Sequence, residues 1–124
     1  MPRFMSLIRI DEQQAEQFEM DAAFEERMGA LFAEITKAGV MLDTAGLLPT
    51  KEGTRLLWDG GKVSCTDGPF TETKEVVGGY AILQCKDMAE AVEWTRRFLE
   101  THPKGWTVGA ELRQIDEAAT PPEA

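Results

Sequence analysis

Cysteine and histidine are nearly missing from this chain of 124 residues: Cys65 and Cys85 are the only thiols and His102 the only imidazole. Two cysteines without CxxC spacing make no disulfide framework. Each lies in an apolar, strand-like run, where a thiol behaves as a small core residue. A single histidine excludes a histidine-rich zinc site, and no structural metal is expected. No apolar run approaches the roughly 18 residues of a membrane span, and Met1-Pro2-Arg3 opens no secretory leader. The expectation is a soluble, cytoplasmic protein with no membrane partner. Basic residues are also short, thirteen against twenty-two acidic ones, for a net charge of −9. Without a basic stripe, direct binding to nucleic acid is not expected. Gly78-Gly79 is followed by no helix start at phosphate-loop spacing, so a nucleotide site is unsupported and no cofactor is expected. Internal repeats and low-complexity segments are absent.

The acidity that is present is local. Asp11, Glu12, Glu16, Glu19, Asp21, Glu25 and Glu26 share residues 11–27 with one base, Arg27, and Asp116, Glu117 and Glu123 sit in a tail without bases. The remainder is balanced. Residues 11–27 read as a solvated approach to a helix, with a docking patch for a basic partner as the alternative. The length fits one domain that buries roughly two thirds of its unfolded surface, residues 1–116, followed by a flexible acidic tail, 117–124.

Short apolar runs and helical stripes alternate along the chain. Residues 3–10 read as a buried strand. From an Asp21 N-cap, Phe24, Met28, Leu31, Phe32 and Ile35 recur at helical spacing up to a C′ Gly39. Residues 40–48 are extended. Residues 55–58 and 62–66 flank Asp59-Gly60-Gly61, a tight hairpin turn. Residues 76–85 form a strand in which Gly78-Gly79 allows a bulge or a close approach. Asp87-Met88-Ala89-Glu90 is a capping-box pattern opening a second helix, with Met88, Ala91, Val92, Thr95, Phe98 and Leu99 inward. A last strand runs from Trp106 to 115. Two amphipathic helices and a small antiparallel sheet make an α+β sandwich with both helices on one face. The second sheet face is then uncovered, yet in the first strand Phe4, Ile8 and Ile10 face one way while apolar Met5 and Leu7 face the other. A second copy of the chain in a twofold dimer is the simplest cover.

One loop, residues 67–75, is dense in conformational instruction. Asp67 can accept from backbone N–H groups, Gly68 permits a sharp bend, Pro69 fixes φ, and Phe70 anchors the corner in the core. Asp67 is a candidate catalytic base if buried beside a cavity, or else a turn-capping carboxylate. Glu72 and Lys74 are candidate ligand contacts, or else a surface ion pair. Tyr80 and Trp106 are candidate aromatic walls, or else core and interface residues. His102 before Pro103 suits a helix end better than catalysis.

Asp67-Gly68-Pro69-Phe70-Thr71-Glu72-Thr73-Lys74-Glu75, followed by Gly78-Gly79-Tyr80, resembles the signature of the YCII-related, or DGPF-domain, family of bacterial proteins. The resemblance spans about 115 residues. It implies a ferredoxin-like fold that pairs into a dimeric α/β barrel, a bacterial origin and a pocket near the motif. Some members are encoded beside or fused to extracytoplasmic-function sigma factors. The wider family is credited with a His–Asp pair whose histidine lies in the first helix; here Met28 stands at that position, so chemistry through such a pair is not carried over. Two functions follow as expectations: a small-molecule-binding homodimer, with or without catalysis, whose pocket is rimmed by residues 67–75, or a non-catalytic module that engages a sigma-factor partner.

Overall fold

The strand Arg3–Ile10 (β1) has a neighbour on each side, and the helical layer packs over one of its faces. The computed structural model describes residues 1–119. After β1 come a one-turn helix Glu12–Ala15 (α1), a long helix Ala22–Lys37 (α2) and the strand Met41–Gly46 (β2). A hairpin of Thr54–Asp59 (β3) and Lys62–Asp67 (β4) follows, then Val76–Gln84 (β5), a helix Met88–Glu100 (α3) and Val108–Gln114 (β6). Four strands form one antiparallel sheet in the order β2-β5-β1-β6, while β3 and β4 pair only with each other. Without the hairpin and α1, the order is strand, helix, strand, strand, helix, strand. Among the described residues the sheet is open, with no closed barrel, and no helix is long and apolar enough to cross a membrane.

Local chemistry explains where the elements begin and end. Asp21 Oδ1 accepts from the Phe24 N–H at 2.7 Å and caps α2. At the other end Gly39 adopts φ +73°, Gly39 N–H donates to Thr36 O and Val40 N–H donates to Ile35 O, a Schellman closure that needs the left-handed residue. Asp87 Oδ1 caps α3 through the Glu90 N–H at 2.9 Å. In the hairpin turn Gly60 (φ +59°) and Gly61 (φ +77°) supply both positive φ values, so Asp59 stays in the ladder opposite Lys62.

Both helices cover the same face of the sheet. Phe4 of β1 and Leu83 of β5 are cross-strand partners, and they share one buried cluster with Ile35 of α2, Ala91 of α3, Val40 and Cys85. Side chains alternate along a strand, so Met5 and Leu7, with their partners Ile82 and Tyr80, point to the opposite face, where they are half-buried and neither α2 nor α3 packs. The helical stripes are narrower than the spacing suggests. Phe32, Met88 and Val92 are exposed, and Trp94 turns inward in α3. In α3, Val92 and Leu99 border a shallow hollow over Ala110 and Leu112 at the outer strand.

The glycine pair in β5 has two separate jobs. Ile8 pairs with Gly79 and Arg9 with Val77, so Gly78 is the extra residue of a bulge. A Cβ on Gly78 would sit 2.7 Å from Ile10 Cδ1, and one on Gly79 would sit 2.9 Å from the Ala45 carbonyl oxygen. Strand β6 begins at Val108, leaving Trp106 in the connection from α3 rather than at the strand start. Of residues 117–124, Glu117–Ala119 form a 3₁₀ turn tied to β1, since Arg3 Nε donates to Glu117 Oε1 at 2.7 Å. The rest of the expected flexible tail lies outside the described residues.

Gly68 is the most crowded glycine. A Cβ there would lie 1.7 Å from the Thr50 carbonyl oxygen, which is backbone and cannot swing away. Gly68→Ala is therefore expected to destabilise the fold by about 1–3 kcal/mol, the usual range for forced overpacking. Chemical denaturation of the two proteins measures it, and an unchanged midpoint would refute the packing argument.

Candidate functional site at the hairpin base

Residues 67–75 are held to the body through Thr50. Glu12 of α1 turns its carboxylate to that residue: Thr50 N–H donates to Glu12 Oε2 at 2.8 Å, and the Thr50 hydroxyl donates to Glu12 Oε1. The same hydroxyl oxygen accepts from the Phe70 N–H at 3.2 Å. Gly53 N–H donates to Thr50 O, and Gly68 N–H donates to Gly53 O, each at 2.9 Å. One threonine thus binds α1, the base of the hairpin and the bend at Gly68-Pro69, whose peptide is cis. Phe70 is buried as the sequence suggests.

Arg55 lies over Phe70, its guanidinium carbon 3.9 Å from the ring centroid. It also donates to Glu72 Oε1 at 2.7 Å and to Thr73 Oγ1 at 3.1 Å. Across the groove, Arg9 leaves the open sheet face at the bulge. Its Nη1 donates to Glu111 Oε1 at 3.3 Å, while Nε lies 3.3 Å from Glu75 Oε2 as an ion pair without hydrogen-bond alignment. Between these arginines runs an open groove of about 800 Å³, walled by Leu47, Leu48, Thr50, Phe70, Thr73 and Val77. The Arg55–Glu72 pair is solvent-exposed and the pairs of Arg9 are half-exposed, and exposed pairs contribute only about 0–1 kcal/mol. An incoming carboxylate or carbonyl group can therefore compete with Glu72 or Glu75 for a guanidinium at little cost. The planar fork of donors suits a planar oxygen pair on the ligand.

The residues singled out from the sequence are not all gathered here. Asp67 is exposed at the end of β4, where its Oδ1 accepts from Thr54 Oγ1 at 3.0 Å and clasps the hairpin base. Glu72 holds Arg55 at the rim. Lys74 lies on the far side of the loop, in a hollow with Asp11, Gln13 and Thr71. Tyr80 sits mid-strand on the open face, its hydroxyl donating to Asp43 Oδ2 at 3.1 Å. Trp106 is elsewhere: it stacks on Phe18 with centroids 4.3 Å apart and tilts against Phe24 at 5.0 Å. His102 joins that aromatic cluster, and its Nδ1 lies 3.0 Å from the Leu99 carbonyl oxygen past the end of α3. Met28 faces the same corner, 3.9 Å from Thr101 Oγ1. Among the described residues no three His, Cys, Asp or Glu side chains converge as metal ligands.

A smaller cavity lies between the sheet and the two helices, lined by Ser6, Ile8, Leu31, Trp94, Thr95 and Phe98. Its volume of about 40 Å³ has room for water rather than an organic ligand. Thr95 Oγ1 is buried without a protein partner, a polar group that one water would satisfy.

The YCII-related domain model matches residues 3–107 of the chain. This chain belongs to the YCII-related domain family. A protein of Rhizobium meliloti (strain 1021), described only as uncharacterised, is 30% identical over 88 residues, which are 71% of this chain and 69% of that protein. The YCII-related match takes in Thr50, Arg9, Arg55 and the whole of residues 67–75, and ends before β6 and Glu111.

Arg9, Arg55, Thr50 and Glu12 escape a reading of the sequence alone. Arg9 carries a faint signal, a charge inside an apolar strand on the same side as Met5 and Leu7. Glu12 and Thr50 are 38 residues apart with nothing in the intervening pattern to join them. The pairing of Tyr80 with Asp43 is directly measurable. The hydrogen bond to Asp43, reinforced by its charge, raises the phenol above its ordinary value near 10. Tyr80 is the sole tyrosine, so phenolate absorbance reports it alone. Its titration is expected above that of a model tyrosine, and Asp43→Asn is expected to lower it; identical curves for the two proteins would refute the contact.

Proposed function

We propose that this YCII-related protein is a small-molecule-binding homodimer whose ligand groove lies at the hairpin base, beside residues 67–75. The observation that carries the reading is the groove itself. It gathers two guanidinium groups, Arg9 and Arg55, in one groove with the Phe70 ring, with only weakly held carboxylates as competitors. The ligand class that fits is a small planar organic acid or carbonyl compound, its oxygens to a guanidinium and its body against Phe70 and the Leu47-Leu48 wall. Asp67 serves in this reading as an orienting residue through Thr54, and Glu72 as the gate on Arg55. Lys74, Tyr80 and Trp106 are outside the groove and are given no ligand contact.

The dimer is the ferredoxin-like pairing that the strand–helix order and the family membership favour. Two open sheet faces meet and bury Met5, Leu7 and Ile82 against the same residues of a second copy, as in a dimeric α/β barrel. Sedimentation of Met5→Glu tests the pairing: the variant is expected to shift from dimer towards monomer while keeping its secondary structure. An unaltered dimer would place the interface elsewhere.

A thermal-shift screen of small organic acids, phenols and aldehydes tests the ligand reading, since stabilisation requires preferential binding to the folded state. A stabilising acid is expected whose shift is lost in Arg9→Gln and Arg55→Gln. Asp67→Asn is expected to weaken the shift without removing it. Silence across the library from folded protein would overturn the ligand reading in favour of a protein-binding module, of the kind a sigma-factor association implies.

A further inference from the structure

The groove that holds Arg9 and Arg55 has a neighbour across its Leu47-Leu48 wall. A second hollow of about 250 Å³ lies beside α1, with Ile10, Ala15 and Gly78 in its lining. Leu47, Leu48, Pro49, Val76 and Val77 line both spaces, so residues 47–49 form a sill between them. That sill is fixed at each end. Leu47 N–H donates to Gly78 O at 2.9 Å, and Thr50 N–H donates to Glu12 Oε2 at 2.8 Å. Pro49 stiffens the span between these bonds. Leu47 is 51% and Leu48 79% exposed, so neither leucine is spent on the core. Gly78 leaves Ile10 its place in the lining, since a Cβ there would lie 2.7 Å from Ile10 Cδ1. Fixed apolar side chains beside a few aimed polar groups are what a small-molecule site presents.

Charge separates the two spaces. Arg9 and Arg55 line the larger one, together with Glu52 and Glu75. Among the described residues the second hollow is lined by Glu12 and Glu16 and by no Lys or Arg. Glu12 already answers Thr50 with both oxygens, and Glu16 is exposed at the rim. An anionic group entering there meets two carboxylates and no base, and like charges brought together reject a partner.

We infer that the ligand of the groove is a monocarboxylic acid with an apolar tail. Its head sits at Arg9 and Arg55, its tail crosses the sill into the second hollow, and Glu16 turns away acids that carry a second carboxylate at the far end. The inference rests on the ligand reading of the preceding subsection and names the ligand class within it. A guanidinium fork takes the planar oxygen pair of the head. Each methylene of the tail that leaves water tightens binding by up to ~4-fold.

Calorimetric titration of the full chain with straight-chain monocarboxylates, from butanoate to decanoate, and with the matching α,ω-dicarboxylates tests it. Affinity for the monoacids is expected to climb about 2–4-fold per methylene and then level off once the hollow is filled. Each diacid is expected to bind at least ~10-fold more weakly than its monoacid. Glu16→Gln is expected to narrow that gap by strengthening the diacids. Ala15→Phe, which fills the second hollow, is expected to flatten the dependence on chain length. Leu48→Ser, at an exposed position, is expected to reduce the same slope, with circular dichroism confirming that both variants fold. Acids that bind equally at every chain length, and are lost in Arg9→Gln, would overturn the tail and leave the groove standing. A slope indifferent to both Ala15→Phe and Leu48→Ser would overturn its placement over the sill. Diacids that match their monoacids would overturn the part given to Glu16. No binding by any acid, with the thermal-shift screen also silent, would overturn both this inference and the ligand reading.

Discussion

The carboxylate of Glu12 on Thr50 is the constraint from which the rest of the site follows. It satisfies the Thr50 N–H and its hydroxyl, and so fixes a residue whose own oxygens then organise two further segments. The hydroxyl oxygen places Phe70, and the carbonyl oxygen stands where any side chain at residue 68 would have to go. Charge-assisted hydrogen bonds of this kind are roughly twice as strong as neutral ones. The bend of residues 67–70 is consequently defined from outside, by a helix of four residues far away in the chain, as much as by its own Gly and Pro.

That arrangement gives the residues of this stretch structural partners of their own. Asp67 spends its carboxylate on Thr54, Gly68 yields space to a backbone oxygen, and Phe70 becomes the floor beneath Arg55. The guanidinium groups that line the groove, Arg9 and Arg55, belong to β1 and β3, strands of two different sheets, and are brought together only by the fold. Arg9 lies beside the bulge at Gly78, and Arg55 is the second residue of β3.

Patterns of short range are readable in the sequence. Asp21, Gly39 and Asp87 mark helix ends because caps are local, and Gly60-Gly61 marks a hairpin because two positive φ values need two glycines. The uncovered second face of β1 is also legible, since Met5 and Leu7 break the polar alternation of a solvated sheet. Contacts between distant segments are not legible. No periodicity joins Glu12 to Thr50, or brings Phe18 and Trp106 into a stack. Nor does alternation reveal that β3 and β4 stand apart from the main sheet, because a ribbon and an inner hairpin share the same turn and the same side-chain period. Trp106 shows the limit well: its spacing fits the start of a strand, while aromatic packing draws it into the turn before one.

The four-stranded sheet and the β3–β4 ladder share no backbone pairing, and residues 50–53 and 68–70 are where they are joined. Substitutions along the ribbon therefore leave the register of β1, β5 and β6 untouched. One part carries the buried core, while every residue of the other is exposed. Leu56, Trp58 and Val63 lie outside the core cluster, so their size and polarity can change without altering how that core packs.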